Sequence, residues 1–179
     1  MNVPNRLTVL RVLLVPVFIA CFYIDVTWKL YLTAAVFFLA YMTDILDGHI
    51  ARKQKIVTDF GKLMDPIADK LLTSSALVML IAENLLSPIP AFIIIAREFI
   101  ISGIRLVSAG NGKVIAASWL GKIKTITQCV AIIMIMLDSL IICILGFPLG
   151  MIVMWISVFF TVWSGVDYII KNKGAISFK

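Results

Sequence analysis

Long apolar runs separated by short polar segments make up most of the chain. The runs hold about twenty residues each, which is the length that an α-helix needs to cross the hydrocarbon core of a bilayer. The pattern predicts an all-α, polytopic integral membrane protein with six transmembrane helices, forming one membrane domain over residues 1–179. The predicted spans cover roughly residues 7–25, 30–52, 61–82, 89–108, 124–143 and 150–170.

Composition and charge agree with this topology. Hydrophobic residues make up 61% of the chain, which excludes a soluble domain. Basic residues concentrate in the second and fourth segments between the spans, whereas the other segments carry only Lys29. Because basic loops stay on the cytoplasmic side, both termini are predicted to be cytoplasmic. The net charge of +6 is attributed to this topology and to contact with anionic membrane lipids, and no nucleic-acid partner is predicted.

Four aspartates lie close together in the chain, where the second predicted span ends and the third begins. Asp44 and Asp47 are three residues apart and Asp65 and Asp69 are four apart, so each pair shares one face of a helix. Small residues lie one helical turn from these acids, where a bulky ligand could approach the backbone. They are Gly48, Ala51 and Gly61.

Two pairs of carboxylates on facing helices make a suitable site for hard cations. Mg²⁺ prefers oxygen ligands and often takes some of them from a phosphate substrate. Two such ions can polarise a phosphoryl group and stabilise both the attacking and the leaving oxygen. Acidic side chains inside membrane spans are costly and mark functional sites by default. The spacing therefore predicts a two-metal site for phosphoryl chemistry, on the cytoplasmic side of the membrane.

The fixed residues of this stretch follow the pattern D-x2-D-G-x2-A-R-x8-G-x3-D-x3-D, which resembles the signature of the CDP-alcohol phosphotransferases. Every fixed position is matched, by Asp44, Asp47, Gly48, Ala51, Arg52, Gly61, Asp65 and Asp69. The resemblance implies an integral membrane enzyme that moves a phosphatidyl or similar group from a CDP-linked donor to an alcohol and releases CMP. It also implies a homodimer.

Three further stretches are similar to the bacterial members of that family that use sn-glycerol 3-phosphate as the acceptor. They cover residues 2–11, 95–105 and 121–128. The resemblance implies an enzyme of the bacterial cytoplasmic membrane whose active site faces the cytoplasm. Its substrates would be CDP-diacylglycerol and glycerol 3-phosphate, and its products phosphatidylglycerophosphate and CMP.

The resemblance also implies roles for individual residues. Two Mg²⁺ or Mn²⁺ ions would be held by Asp44, Asp47, Asp65 and Asp69, and Asp69 would also act as the general base. CDP-diacylglycerol would bind at Gly48, Ala51, Arg52 and Gly61. The acceptor phosphate is a dianion and needs a second group of cations beside the metal site. We assign this role to Arg105, Lys122 and Lys124, with Arg11 as a further candidate.

Other interpretations stay open at this point. Within the family, the acceptor could instead be phosphatidylglycerol, as in cardiolipin synthesis, or inositol phosphate. From another class, a small cation-coupled transporter would also need membrane carboxylates, but these would be spread over the membrane depth rather than clustered at one face. Arg97 and Glu98, within the fourth span, are interpreted as a buried structural pair. Arg11 either binds the acceptor or extends to the headgroups.

Overall fold

A computed structural model describes residues 3–54, 59–110 and 119–172, without the side chains of residues 3–8, 44–54, 59–66, 69, 109 and 110. Over these ranges the regular secondary structure is helical, which confirms the all-α prediction. The helices are α1 (Val3–Phe22), α2 (Lys29–Gln54), α3 (Asp59–Ala82), α4 (Pro88–Gly110), α5 (Trp119–Met136), α6 (Asp138–Leu145) and α7 (Leu149–Lys171). The chain forms two compact units, Met1–Leu85 and Leu86–Lys179, which are called unit 1 and unit 2 below. The single domain over residues 1–179 stays a prediction.

Two helix bounds differ from the prediction. Helix α1 begins at Val3 rather than near residue 7. Pro4 is tolerated there because the first turn of a helix leaves its N–H groups without intrahelical partners in any case. The predicted fifth span, 124–143, is interrupted at Leu137, and Asp138 opens the short helix α6. An aspartate in a first turn interacts favourably with the positive end of the helix dipole, which favours a new start there.

The chain turns at residues 146–148, between the predicted spans 124–143 and 150–170. Helix α6 ends at Leu145, and the N–H of Gly146 donates a hydrogen bond to the carbonyl of Ile142. Gly146 has a φ of 78°, in the left-handed region that glycine adopts without a steric penalty. Helix α7 begins at Leu149, directly after Pro148.

Unit 1 is a three-helix arrangement in which α1 packs against both α2 and α3. Its core contains an aromatic cluster on α1 and α2. The ring of Phe18 lies 5.3 Å from that of Phe22 and 5.8 Å from that of Phe37, between centroids. Small buried residues, Ala34 and Ala40 on α2, allow close helix contact beside these rings. The apolar faces of the helices therefore fold onto one another, as their sequences predict.

One end of unit 1 is tied by an ion pair. The Lys29 ammonium lies 2.9 Å from a carboxylate oxygen of Glu83 and also donates a hydrogen bond to the Phe22 carbonyl. Lys29 opens α2, Glu83 directly follows α3, and Phe22 closes α1. The segments after α1 and after α3 therefore lie at the same end of the unit, which an antiparallel order of three successive spans requires.

Helix α7 has a polar and small inner face and an apolar outer face. Its buried side includes Ser157, Thr161, Ser164, Gly165 and Tyr168. Two of these hydroxyls donate to carbonyls of the same helix, Thr161 to Ser157 at 2.7 Å and Ser164 to Thr161 at 3.2 Å. The exposed side carries large apolar residues that include Trp155, Phe159, Val162, Trp163 and Val166.

This distribution is the reverse of the one in water-soluble proteins, where large apolar residues are buried. It is typical of helices that face lipid on one side and contact other helices through small and hydroxyl residues on the other. Two described helices, α5 and α7, are each long and apolar enough to cross a membrane.

Gly150 permits the close approach of α7 to α5. A Cβ atom there would lie 2.7 Å from the backbone nitrogen of Ile135 and 2.9 Å from the carbonyl carbon of Met134. Since backbone cannot move aside as a side chain can, Gly150→Ala is expected to destabilise the protein by about 1–3 kcal/mol, measured as a lower thermal unfolding midpoint.

The matched control for this substitution is Gly103→Ala in α4. A Cβ at Gly103 would have nothing within 4 Å. The control should leave stability unchanged or raise it by up to about 1 kcal/mol, because alanine favours a helix over glycine. Equal midpoints for the Gly150 variant and the wild type would contradict the packing described for α5 and α7.

Candidate active site

The four aspartates of the signature lie on two helices of unit 1. Asp44 and Asp47 belong to α2, and Asp65 and Asp69 belong to α3. Both segments are helical, so the spacings of three and four residues do place each pair on one helix face. The glycines and the alanine between them are on the same helices. The geometry of the individual carboxylates lies outside the described side chains.

The backbone brings the two pairs to the same level. The ion pair of Lys29 and Glu83 gives a common reference at the opposite end of α2 and α3. Asp47 and Asp65 are each 18 positions from it, counted from 29 to 47 and from 65 to 83, or about 27 Å along a helix. The other two acids are 15 and 14 positions away, or about 21–22 Å. The helices therefore present both pairs at matching heights.

This donor set suits a hard divalent cation. The signature supplies carboxylate oxygens, the ligands that Mg²⁺ prefers, and no thiolate or imidazole at its fixed positions. Two acids at matching heights on two helices can share an ion between them. Metal binding by Asp44, Asp47, Asp65 and Asp69 stays a prediction, as does donor binding at Gly48, Ala51, Arg52 and Gly61.

Three of the cations predicted to bind the acceptor phosphate belong to unit 2, and their environments differ. Lys124 on α5 is only 3% exposed. Arg105 on α4 is exposed, and its Nε donates to the Tyr168 hydroxyl at 3.3 Å while its guanidinium lies 5.4 Å from the centre of the Tyr168 ring. Lys122 is exposed, with its ammonium 5.3 Å from the centre of the Trp119 ring. Such cation–π contacts orient a charge without neutralising it.

The fourth predicted acceptor ligand, Arg11, belongs to α1 in unit 1. Its side chain is 1% exposed. The alternative in which it extends to the lipid headgroups is therefore wrong, because its guanidinium does not reach the protein surface. A role in acceptor binding stays a prediction.

A largely buried group of charges lies where α4, α5 and α7 meet. Glu98 Oε1 accepts hydrogen bonds from the Lys124 ammonium and, at 3.1 Å, from Nη1 of Arg97. Nη2 of Arg97 donates to the Ser164 hydroxyl at 3.0 Å. Gly165 gives the arginine stem room, since a Cβ there would lie 3.3 Å from Arg97 Cγ. The interpretation of Arg97 and Glu98 as a pair is confirmed, although 15% and 19% of their side chains remain exposed.

The sequence did not reveal the partners that other helices supply to this group. Lys124, Ser164 and Tyr168 lie 26, 67 and 63 positions from the α4 residues they contact. One signal was present in α7. Ser157, Thr161, Ser164 and Tyr168 recur at offsets of four, seven and eleven, a polar stripe at helical spacing in an otherwise apolar helix. This stripe marks the face that receives the arginines.

One face of α4 carries Arg105 and also Glu98, which contacts Lys124 of α5. Glu98, Ser102 and Arg105 lie on that face at offsets of four and seven, and Ser102 donates to the Glu98 carbonyl. Glu98 and Arg105 are seven positions apart, about 10 Å along the axis. Lys124 pairs with Glu98, and Tyr168 accepts a hydrogen bond from Arg105. Arg105 and Tyr168 therefore meet near the ends of α4 and α7, whereas Lys124 meets Glu98 near the middle of α4.

Comparison with known proteins gives consistent matches. A family model described as CDP-alcohol phosphatidyltransferase matches residues 1–163. A relative from Bacillus subtilis (strain 168) is 41% identical over 98% of this chain and 97% of its own. One from Haemophilus influenzae is 37% identical over 98% and 95%, and one from Escherichia coli (strain K12) is 43% identical over 73% and 74%. Each is named CDP-diacylglycerol–glycerol-3-phosphate 3-phosphatidyltransferase.

Proposed function

Because the chain belongs to the CDP-alcohol phosphatidyltransferase family, we propose that it transfers the phosphatidyl group of CDP-diacylglycerol to sn-glycerol 3-phosphate. The products are phosphatidylglycerophosphate and CMP. The observation that carries this proposal is the 41% identity, over 98% of the chain, to a relative named for the same reaction. The signature carboxylates and the candidate cations Arg105, Lys122 and Lys124 are the two kinds of group that the reaction needs.

The signature aspartates act on the donor. Asp44, Asp47, Asp65 and Asp69 would hold divalent cations, two Mg²⁺ or Mn²⁺ ions, and members of this family are generally dependent on a divalent metal. When bound, such ions neutralise the pyrophosphate of CDP-diacylglycerol. The small residues Gly48, Ala51 and Gly61 leave room for the cytidine, and Arg52 lies one position beyond Ala51.

The transfer itself moves one proton and one phosphoryl group. A carboxylate oxygen of Asp69 removes the proton from the acceptor hydroxyl. The resulting oxygen forms a bond to the phosphorus that carries diacylglycerol, and the bond from that phosphorus to the CMP oxygen breaks. CMP leaves as the anion. Positioning and charge neutralisation supply most of the rate in reactions of this kind.

The acceptor phosphate would be held by Arg105, Lys122 and Lys124, with Arg11 as a further ligand. Arginine can bind two phosphate oxygens at once, whereas lysine acts as a point charge. The Tyr168 contact orients Arg105, and Lys124 pairs with Glu98. An uncharged acceptor would need fewer cations than these four residues provide.

The acceptor can be tested with purified protein, CDP-diacylglycerol and a panel of alcohols, by following CMP release. Glycerol 3-phosphate should be used with the highest kcat/KM. If phosphatidylglycerol or inositol phosphate is used with a higher kcat/KM, the family assignment stands and the proposed acceptor is wrong. A protein that releases no CMP with any alcohol, but moves cations into vesicles, would be the transporter.

Replacing Arg105 tests the acceptor site separately. Arg105→Gln is expected to raise the KM for glycerol 3-phosphate by about 10- to 150-fold, since a hydrogen bond to a charged group contributes about 1.5–3 kcal/mol. The KM for CDP-diacylglycerol should change little, because the interaction is made with the acceptor alone. Lys171→Gln is the control, as Lys171 is an exposed cation of α7 that pairs with Asp167. A rise in the KM for CDP-diacylglycerol alone would indicate that Arg105 binds the donor pyrophosphate and not the acceptor.

We also propose that the protein is embedded in the bacterial cytoplasmic membrane as a homodimer, with six spans per chain. Both termini and the active site would face the cytoplasm. Three features support the membrane location and the alternating spans: the exposed apolar face of α7, the two helices long enough to cross a bilayer, and the antiparallel order in unit 1.

Labelling of single cysteines tests the topology. The native cysteines, Cys21, Cys129 and Cys143, are first replaced. A membrane-impermeant thiol reagent should then reach cysteines at positions 53 and 113 only from the cytoplasmic side. A cysteine at Ser87, which is exposed just before α4, should react only from the opposite side. Reaction of positions 53 and 87 from the same side would exclude the six-span arrangement.

A further inference from the structure

Glu98 is a carboxylate that contacts Lys124, one of the cations that we assign to the acceptor. It lies on the same α4 face as Arg105, and its Oε1 accepts hydrogen bonds from both Lys124 and Arg97. The side chains of all three charged residues in this group are largely buried, with 19% of Glu98, 15% of Arg97 and 3% of Lys124 exposed. A carboxylate near an anion-binding site repels the anion. Its presence there is explained if it positions the cations that bind the anion.

Lysine is a flexible ligand, and Lys124 approaches its site from a different helix than Arg105 does. A free lysine side chain has many rotamers, and ordering it on substrate binding would weaken the binding. Glu98 removes that freedom before the substrate arrives, because it fixes the ammonium position. It fixes Arg97 in the same way, with Ser164 holding the other edge of the guanidinium.

We propose that Glu98 is a positioning residue for the acceptor phosphate, acting through Lys124. The carboxylate does not touch the phosphate. It holds the Lys124 ammonium where the phosphate binds, on the α4 face that also carries Arg105. This inference rests on the proposed function, since it takes glycerol 3-phosphate to be the acceptor.

The test compares Glu98→Gln with its charge-conserving counterpart Glu98→Asp. Glu98→Gln should raise the KM for glycerol 3-phosphate by about 10-fold or more, because a charged hydrogen-bond partner is lost. The kcat and the KM for CDP-diacylglycerol should stay within about 2-fold of wild type. Glu98→Asp keeps the charge and should restore part of the acceptor affinity. Glu83→Gln is the matched control, as it makes the same change in the ion pair of unit 1 and should leave both KM values unchanged.

A double-mutant cycle shows whether Glu98 acts through Lys124. In a Lys124→Gln background, adding Glu98→Gln should change the acceptor KM by no more than about 2-fold, since residues that act as a unit are not additive. Independent, multiplying effects of the two substitutions would overturn the proposal. So would a parallel loss of donor and acceptor affinity, or failure of both Glu98 variants to fold, because Glu98 would then be structural.

The wild-type reaction separates this inference from the function on which it rests. If the wild type does not use glycerol 3-phosphate, the proposed function fails. If the wild type uses it and Glu98→Gln has an unchanged acceptor KM, the proposed function stands and the role of Glu98 is wrong.

Discussion

Asp69→Asn is expected to lower the turnover of CDP-diacylglycerol and glycerol 3-phosphate by about 10²- to 10⁴-fold, the usual contribution of a general base. Asparagine keeps the size of aspartate but cannot take the proton of the acceptor hydroxyl. Binding of CDP-diacylglycerol should survive in part, because three signature carboxylates remain. CMP release in a single turnover and donor binding at equilibrium are the two measurements.

The control is Asp167→Asn, which changes an aspartate that pairs with Lys171 one turn along α7. It should alter turnover by less than about 2-fold, as expected for an exposed pair that contributes little. Recovery of the Asp69 variant at high Mg²⁺ would assign Asp69 to cation binding rather than proton transfer. Unchanged turnover would exclude both roles.

Removal of divalent cations is expected to abolish CMP release. The signature offers carboxylates at matching heights on α2 and α3, and without a cation these negative charges would repel the donor pyrophosphate. Exhaustive chelation followed by addition of Mg²⁺ or Mn²⁺ should restore turnover. A chelator saturated with Mg²⁺ beforehand serves as the control and should have no effect. Full turnover after exhaustive chelation would exclude a metal-dependent mechanism.

Hydrophobic patterning predicted most of the helices. Five of the six predicted spans correspond to single helices whose bounds lie within four residues of the prediction. The exception is the break at Leu137, where the residues on both sides are apolar and only Asp138 and Ser139 mark a new start. Hydropathy is averaged over a window of about twenty residues, so it does not detect a break in a helix that involves only one or two residues.

The candidate site was predictable where it depends on neighbours in one helix. The spacing of the signature aspartates predicted that each pair shares one face of a helix. The backbone of α2 and α3 is helical at Asp44, Asp47, Asp65 and Asp69, which confirms this. Contacts between helices were not predictable, because periodicity gives a face and not its partner. The pairing of Lys124 with Glu98 depends on the relative rotation and height of α4 and α5, which the packing of whole helices determines.

The inner face of α7 has a consequence for how the protein is made. Two of its hydroxyls, those of Thr161 and Ser164, already donate to carbonyls of the same helix, which lowers the cost of placing α7 in the bilayer before a neighbour is present. Helix α4 differs, since Arg97, near its centre, disfavours insertion by about 2.5–3.5 kcal/mol. The hydroxyls of Ser164 and Tyr168 on α7 accept hydrogen bonds from Arg97 and Arg105. Helix α7 is synthesised after α4. These two hydrogen bonds of α4 therefore form only after α7 has been synthesised.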